Sequence, residues 1–175
     1  MKRTLMMLAA VIALASCTPV YQVRSLSGTQ NAVSLSRHDG VYIALPADGA
    51  YGSQQYRGSG QTVAETVAAA FSQYAPHVHT AASVSSEAGS LAAAAKYGDR
   101  YVVVPAITHW EPRDTAWSGK RSRMALRITV FDVTSGQVLS SVSIEGKSAQ
   151  QTLSSTSPEK LLDEPVQDYV TGLYR

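Results

Sequence analysis

The chain has 175 residues, 45% of them hydrophobic and 16% charged, which is enough for one domain with a sizeable core. Its 15 basic and 13 acidic side chains give a formal net charge of +2, and this near balance offers no electrostatic case for binding nucleic acid. Because Cys17 is the single cysteine of the chain, an internal disulfide is excluded and the core must hold the fold.

The first 17 residues have the pattern of a lipoprotein signal peptide. Lys2 and Arg3 form a positive n-region, and an apolar run over 5–14 follows them. A membrane span needs ~20 apolar residues, so this short run favours a signal peptide over residues 1–16. Small residues precede Cys17, as in the lipobox read by the bacterial lipoprotein machinery. We therefore predict lipidation of Cys17; an ordinary secretory signal is the alternative.

Cleavage before Cys17 would change the net charge of the protein, and the residues around Cys17 predict its location in the cell. Loss of Lys2 and Arg3 lowers the basic count from 15 to 13, equal to the 13 acidic residues, so the mature side-chain charge is zero. Two or three acyl chains, palmitate among them, exceed the one-chain threshold for stable anchoring in a membrane. Thr18 follows the cysteine, whereas Asp there resembles the inner-membrane retention signal of enteric bacteria. We therefore predict a lipid anchor in the outer membrane, with the domain in the periplasm.

The first part of the mature chain is polar. Residues 17–40, which comprise the lipidated cysteine and a stretch rich in Ser, Gly, Asn and Gln, predict a tether. Fully extended, 18–40 would reach ~75 Å. A β-branched strand is predicted over 41–45, then a Gly/Ser/Tyr-rich loop over 47–60, then an amphipathic helix over about 62–74.

The remaining elements follow in alternation and then in a hairpin. A short strand is predicted from His77, and a helix from a Ser85 or Ser86 cap to Gly98. The most apolar strand, predicted to be central, follows at 101–110, where Pro105 requires a bulge or a local edge because it lacks a donor. The last predicted elements are strands over 124–133 and 138–146 and a helix from Ser157 towards Tyr174.

This order, β-α-β-α-β-β-β-α, predicts an α/β fold. Strands that alternate with helices favour parallel crossovers, and the last strands favour an antiparallel meander. We expect a mixed sheet of about five strands packed by three helices. The periplasmic α/β domain is predicted to span 41–175.

Two segments resemble a recurrent periplasmic pattern. They are Ala95-Lys-Tyr-Gly-Asp-Arg-Tyr-Val-Val-Val-Pro-Ala-Ile-Thr-His-Trp-Glu and Leu126-Arg-Ile-Thr-Val-Phe-Asp-Val-Thr-Ser-Gly-Gln-Val-Leu. Over about 40–175 the chain is similar to a proteobacterial lipoprotein family of unknown function. It also resembles the small α/β domains of the curli-secretion lipoprotein, the lipoprotein LpoB and the N-terminal domain of TolB. The resemblance implies a fold and carries over no catalytic residue.

Candidate chemistry is sparse. His77 and His79 share a strand face, but zinc requires three or four ligands, which favours two polar strand residues and no metal. Gly58-Ser59-Gly60 before a helix resembles a phosphate-cradling turn, although a loop leading into a capped helix is favoured. The carboxylates near the hairpin are predicted to be solvated; they are Glu111, Asp114 and Asp132. We predict no catalytic residue, no metal and no cofactor.

The predicted loops carry aromatic and basic side chains suited to a protein partner, since Tyr, Trp and Arg are enriched in protein contacts. The predicted partner surface consists of Trp110, Trp117, Arg113, Arg121, Tyr51 and Tyr56, with Lys120 and Arg123 beside it. In the alternative, Trp110 belongs to the core, Trp117 covers the hairpin, and the basic cluster over 120–123 is a solvated loop.

These features favour a non-enzymatic outer-membrane lipoprotein. Its periplasmic domain would bind or regulate an envelope protein assembly, so its expected partners are the membrane and an envelope protein, not nucleic acid. Two alternatives stay open: a ligand-binding or hydrolytic envelope enzyme, and a ring-forming subunit of a secretion or motility complex.

Overall fold

A computed structural model of the protein describes residues 18–26, 33–113, 120–149 and 157–175. Within these ranges the chain forms a six-stranded sheet, a small two-stranded ribbon and three α-helices. The strands are β1 (Val20–Ser25), β2 (Val41–Leu45), β3 (Ala50–Tyr51), β4 (Gln54–Gln55), β5 (Val78–Val84), β6 (Tyr101–Glu111), β7 (Arg123–Asp132) and β8 (Val138–Lys147). The helices are α1 (Ser59–Phe71), α2 (Glu87–Tyr97) and α3 (Asp163–Leu173), the last after a 3-10 turn at Pro158–Leu161.

The sheet has the order β1-β8-β7-β6-β2-β5. β2 pairs in parallel with both β5 and β6, because α1 and α2 provide the crossovers. β6, β7 and β8 form an antiparallel meander, and β1 pairs antiparallel with β8 at the sheet edge. Gly136 at φ +66° makes the tight turn between β7 and β8. The predicted mixed α/β sheet is therefore confirmed, with six strands in the main sheet where about five were expected.

The two faces of the sheet are covered unequally. Alternation along β7 buries Met124, Leu126, Ile128 and Val130 against the layer formed by α1 and α3, which is the larger core. On the opposite face α2 covers a smaller core near β2 and β6 that consists of Tyr42, Ala81, Ala94, Val102 and Phe131. The rest of that face, along β7, β8 and β1, has no helix over it in the described ranges; we call it the open face.

The predicted tether over 17–40 is wrong for most of its described part. Val20–Ser25 is an edge strand whose pairing with β8 runs from Val20 opposite Lys147 to Ser25 opposite Val142. Leu35 is buried at 4% exposure, and its N–H donates to the carbonyl of Leu173 at 2.7 Å. An edge strand is stabilised by main-chain hydrogen bonds on one side, so a polar composition suffices for it. Within the described residues, only Thr18 and Pro19 separate Cys17 from the sheet.

Pro105 shows how the sheet tolerates a residue without an N–H donor. β2 pairs with β6 only from Tyr101 to Val103, so beyond that point β6 has a local edge on this side. Its other side pairs with β7, with Pro105 opposite Ile128. The predicted local edge is confirmed.

The signal peptide and Cys17 lie outside the described residues, as does Trp117. Among the residues that are described, no helix combines the length and the apolar character needed to cross a membrane.

Candidate functional site

A polar cleft of about 600 Å³ opens where β6 ends and β7 begins. Its walls come from three segments that are distant in sequence: the β3 ribbon, the end of β6, and the residues that lead into β7. Gly49 allows the ribbon to cross β6 closely, since a Cβ there would lie 2.6 Å from Cβ of Trp110. The cleft is lined by Tyr51, His109, Glu111, Arg113, Lys120, Arg121 and Arg123.

Glu111 is the centre of the hydrogen-bond network in this cleft. Arg113 Nε donates to Glu111 Oε1 at 2.7 Å, and a terminal guanidinium nitrogen of Arg113 contacts the same oxygen. Glu111 Oε2 lies 3.0 Å from Nε2 of His109. Arg113 also donates to the hydroxyl of Tyr51 at 3.0 Å, so one guanidinium joins the ribbon to β6.

The network keeps a buried carboxylate ionised. Glu111 is 6% exposed, and burial by itself raises the pKa of its carboxyl. The hydrogen bonds from His109, Arg113 and Tyr51, with the charge of Arg113, outweigh that burial and hold the pKa below its ordinary value. The negative charge is therefore offset within the cleft.

Tyr51 is fixed by the same groups although it is 40% exposed. The guanidinium carbon of Arg113 lies 5.2 Å from the centre of the Tyr51 ring. The His109 ring meets Tyr51 edge-on, with centroids 5.7 Å apart and planes at 79°. The cleft thus presents a pre-oriented aromatic side chain.

A second polar cluster lies where the three parallel strands β2, β5 and β6 begin. Nδ1 of His79 is 2.9 Å from Oδ2 of Asp99, and Nε2 of His77 is 3.4 Å from Oδ1. The Asp99 side chain is fully buried, and its Oδ1 has no hydrogen-bond partner within the described part of the chain. Tyr97 stacks on His79 at 4.3 Å between centroids. Gly40 is required here, because a Cβ would collide with His77 and Asp99.

His79 lies on β5 and His77 directly precedes that strand, and their ring centroids are 5.5 Å apart. The sequence analysis missed Asp99, the acid that contacts both histidines. Asp99 lies between α2 and β6, about 20 residues after His79, so spacing along the chain did not connect them. In the described ranges, no group of three or more His, Cys, Asp or Glu side chains is arranged to hold a metal ion.

The glycine turn before α1 already has an anionic partner. Oδ1 of Asp48 accepts hydrogen bonds from the N–H groups of Gly58, at 3.1 Å, and Gly60, at 2.9 Å. This carboxylate satisfies donors that a bound phosphate would otherwise use. The turn is therefore a capped helix start, as favoured from the sequence.

The geometry can be set beside known proteins. The family model described as a domain of unknown function, DUF4823, matches residues 33–173. The chain belongs to this family. The predicted membership of a family of unknown function is thereby confirmed, whereas the resemblance to LpoB, the curli lipoprotein and TolB stays a prediction. The search of curated proteins finds no match for this DUF4823 chain.

Solved structures resemble this DUF4823 domain in fold. The PelC dodecamer from Paraburkholderia phytofirmans has a TM-score of 0.64 at 19% identity, covering 89% of this chain and 98% of that one. A single-substitution variant of that dodecamer gives 0.58 at 19% identity, covering 88% and 95%. Lipoprotein GNA1162 from Neisseria meningitidis gives 0.49 at 14% identity, covering 76% and 96%. For the two dodecamer structures, at 19% identity, the likeness is one of fold alone.

The structure of the DUF4823 domain unites half of the predicted partner surface. Tyr51, Arg113 and Arg121 line one cleft. Trp110 is wrong as a surface residue: it is fully buried in the larger core, as the alternative held. Tyr56 is half-buried, packs against that core, and donates its N–H to the carbonyl of Gly49 at 2.9 Å.

The prediction of solvated carboxylates is wrong for Glu111 and Asp132, which are 6% and 5% exposed. Asp132 accepts hydrogen bonds from Nε of Arg100 at 2.7 Å and from the N–H of Ser135 at 2.8 Å. The signal that the sequence offered for Glu111 was its spacing from His109, two residues earlier on the same strand face. Asp114 lies outside the described residues.

Proposed function

We propose that this DUF4823 chain is an outer-membrane lipoprotein whose periplasmic domain is a non-enzymatic binding module of an envelope protein assembly. One observation carries the proposal: the sheet begins at Val20, three residues after the predicted lipidation site Cys17.

This spacing determines where the domain would work. Three trans peptide units reach at most about 11 Å, against the ~75 Å of the tether first expected. A lipid on Cys17 would therefore hold the β1 edge of the sheet next to the bilayer surface. Such a placement suits a domain that meets membrane-embedded or membrane-adjacent proteins, and it does not suit one that samples the whole periplasm.

The cleft supports a binding role. Arg113 and His109 hold the exposed ring of Tyr51 in one orientation. A pre-oriented aromatic side chain loses little conformational entropy when a partner covers it, and Tyr and Arg are the residue types that dominate binding energy at protein interfaces.

The anchor is tested in cells by mass spectrometry of the N-terminal peptide and by density separation of the two membranes. We expect an acylated Cys17 and recovery in the outer-membrane fraction. Cys17→Ser should release the protein from membranes, and Thr18→Asp should move it to the inner membrane. The matched control Ser16→Ala keeps a small residue before the cysteine and should behave as the parent chain. An unacylated Cys17 in the parent would refute the proposal.

The partner surface is tested by placing a photo-crosslinking amino acid at position 51 in the full chain. We expect one dominant adduct from position 51 and none of that mass from position 65, where exposed Glu65 of α1 is the matched control. Arg113→Ala, which frees the ring, should reduce the adduct several-fold. Equal adducts from both positions would contradict the use of the cleft.

A second candidate function is that of a ring-forming subunit. It is favoured because PelC, whose fold this chain resembles, is a dodecamer. The sheet here has two outer strands, β1 and β5, and head-to-tail pairing of such edges generates rings when the rotation closes. Light scattering of the lipidated chain in detergent decides it: a mass of many chains supports a ring, and a monomer mass excludes one.

A further inference from the structure

The anchored end of the sheet can be located from strand register. Val20 of β1 lies opposite Lys147 of β8, Lys147 lies opposite Arg123 of β7, and Arg123 lies opposite Glu111 of β6. Neighbouring strands are about 4.8 Å apart, so this row extends about 14 Å from Val20 to the cleft. The end of the sheet that contains the cleft is therefore also the end at which β1 begins, three residues after Cys17 in the sequence.

The side chains of this row belong to the open face. Residues directly opposite one another in an antiparallel pair project to the same side of the sheet, and their neighbours Met124 and Trp110 are buried on the other side. Arg123 and Lys147 are both exposed. The cleft and the adjoining part of the open face are lined by the basic side chains of Arg113, Lys120, Arg121, Arg123 and Lys147 and by the carboxylates of Glu111 and Glu145.

The other face of the same end has two carboxylates at a helix start. Asp163 and Glu164 begin α3, where acids suit the helix dipole. Burial raises the pKa of the Tyr21 hydroxyl, and the nearby carboxylates of Glu164 and Asp163 raise it further. Tyr21 follows Val20 on β1, so these two carboxylates lie on the helical side of the sheet close to the start of β1.

We infer that the open face at the anchored end, centred on Arg123 and Lys147, binds the phosphate head groups of anionic phospholipids. The inference rests on the proposed lipidation of Cys17, which brings the face to the bilayer. Guanidinium and ammonium groups are strong hydrogen-bond donors to phosphate. Each basic side chain close to a membrane adds to the affinity of the protein for an anionic surface. The Debye length is ~8 Å at physiological salt, so the attraction acts only on a face held this near.

The test uses the lipidated full chain in vesicles of phosphatidylcholine, with or without phosphatidylglycerol. Thr108→Cys places a fluorophore beside this face, and Gln137→Cys places one at the far end of the β7–β8 hairpin. The thiol of Cys17 is blocked by its lipid, so each label is unique. With spin-labelled lipid head groups as quencher, phosphatidylglycerol should raise quenching several-fold at position 108 and leave position 137 unchanged, and high salt should reverse the rise.

Charge reversal identifies the residues. Arg123→Glu combined with Lys147→Glu should return quenching at position 108 to its value in phosphatidylcholine. Arg127→Glu is the matched control, an exposed arginine on the same strand and face, four residues farther from the anchored end. Quenching that ignores phosphatidylglycerol, or that responds equally to both variants, would overturn the inference while the anchor stands. Loss of the parent chain from vesicles with an unacylated Cys17 would instead overturn the proposed function with it.

Discussion

Glu111 and Asp132 are carboxylates that end two paired strands, β6 and β7, and the fold buries both. Each stays ionised because hydrogen bonds to its carboxylate compensate for burial. For Asp132 the N–H of Ser135 lowers the pKa most; burial opposes this effect, and the Ser135 hydroxyl and Arg100 add to it. The partners of Asp132 depend on the turn geometry and on Arg100, 32 residues away, so residue spacing did not reveal them. Glu111 differs, because His109 and Arg113 lie within two residues of it and could have been recognised in the sequence.

These two acids predict a loss of stability at low pH. The folded pKa of each lies below its ordinary value, which is 4.5 for Glu111 and 3.8 for Asp132. Their contribution is therefore fully present above those values and is lost as the pH falls through and below them. Thermal unfolding followed by circular dichroism should show Tm falling once the pH drops below this range.

Asp132→Asn isolates one of the two acids. It should destabilise the protein by about 1–2 kcal/mol at neutral pH, because hydrogen bonds to a charged group are lost while the half-exposed Arg100 contributes little. The gap in Tm between this variant and the parent should narrow as the pH falls below 3.8. Asp168→Asn, at an exposed acid of α3, is the control and should leave Tm unchanged. A gap that is constant with pH would contradict this explanation.

At the scale of elements, the sequence predicts the helices and strands in which buried and exposed side chains alternate with a regular period. α1 shows helical spacing of Val63, Val67 and Phe71, all fully buried, and β7 shows clean alternation. β1 was missed because it lacks such a signal: apart from half-buried Tyr21, its side chains are exposed. Its position is determined by main-chain pairing with β8, and no local pattern encodes pairing with a partner more than a hundred residues away.

The same weakness predicts how β1 behaves in solution. Val20 and Val23 are 50% and 53% exposed, so little apolar burial holds the strand and it should open before the core does. Hydrogen exchange of the full chain should show amides of β1 exchanging at least tenfold faster than those of β7. Tyr21→Ala should accelerate exchange in β1 alone, because Tyr21 is the residue of this strand that packs against the larger core.

Val23→Ala is the control for that experiment. It truncates an exposed side chain on the same face of the same strand, and it should change exchange in β1 far less than Tyr21→Ala does. If amides of β1 were as protected as those of β7, the strand would be an integral part of the core and the interpretation of a weakly held edge would be wrong.

At the scale of the whole molecule, residues 17–175 are neutral in total, but their charges are polarised at the end of the sheet where β1 begins. Composition revealed the neutrality, and the signal peptide pattern indicated the anchor. The distribution of charge could be seen only in the structure. Strand register places Lys147 opposite Arg123, and Asp163 at the start of α3 lies on the other side of the sheet. The cleft was half predictable for a related reason: loop aromatics and arginines are visible in sequence, whereas buried Trp110 and Glu111 look the same there as exposed residues.

Polarisation would matter only if the short connection holds that end of the sheet near the membrane, and this can be tested without changing the fold. We consider insertion of about 20 Gly and Ser residues between Cys17 and Thr18, a flexible segment with a root-mean-square length of about 25 Å. In phosphatidylcholine vesicles, where charge attraction is absent, the parent chain should show stronger head-group quenching of a label at position 108 than at position 137. The insertion should make quenching of the two labels equal. It should leave Tm unchanged, because no residue of the sheet is altered.

In vesicles with phosphatidylglycerol the chain with the insertion should regain only part of the difference in quenching, since a longer linker lowers the effective concentration of the basic face at the surface. A difference between the two labels that survives insertion in phosphatidylcholine would show that something other than the short Thr18-Pro19 connection orients the domain.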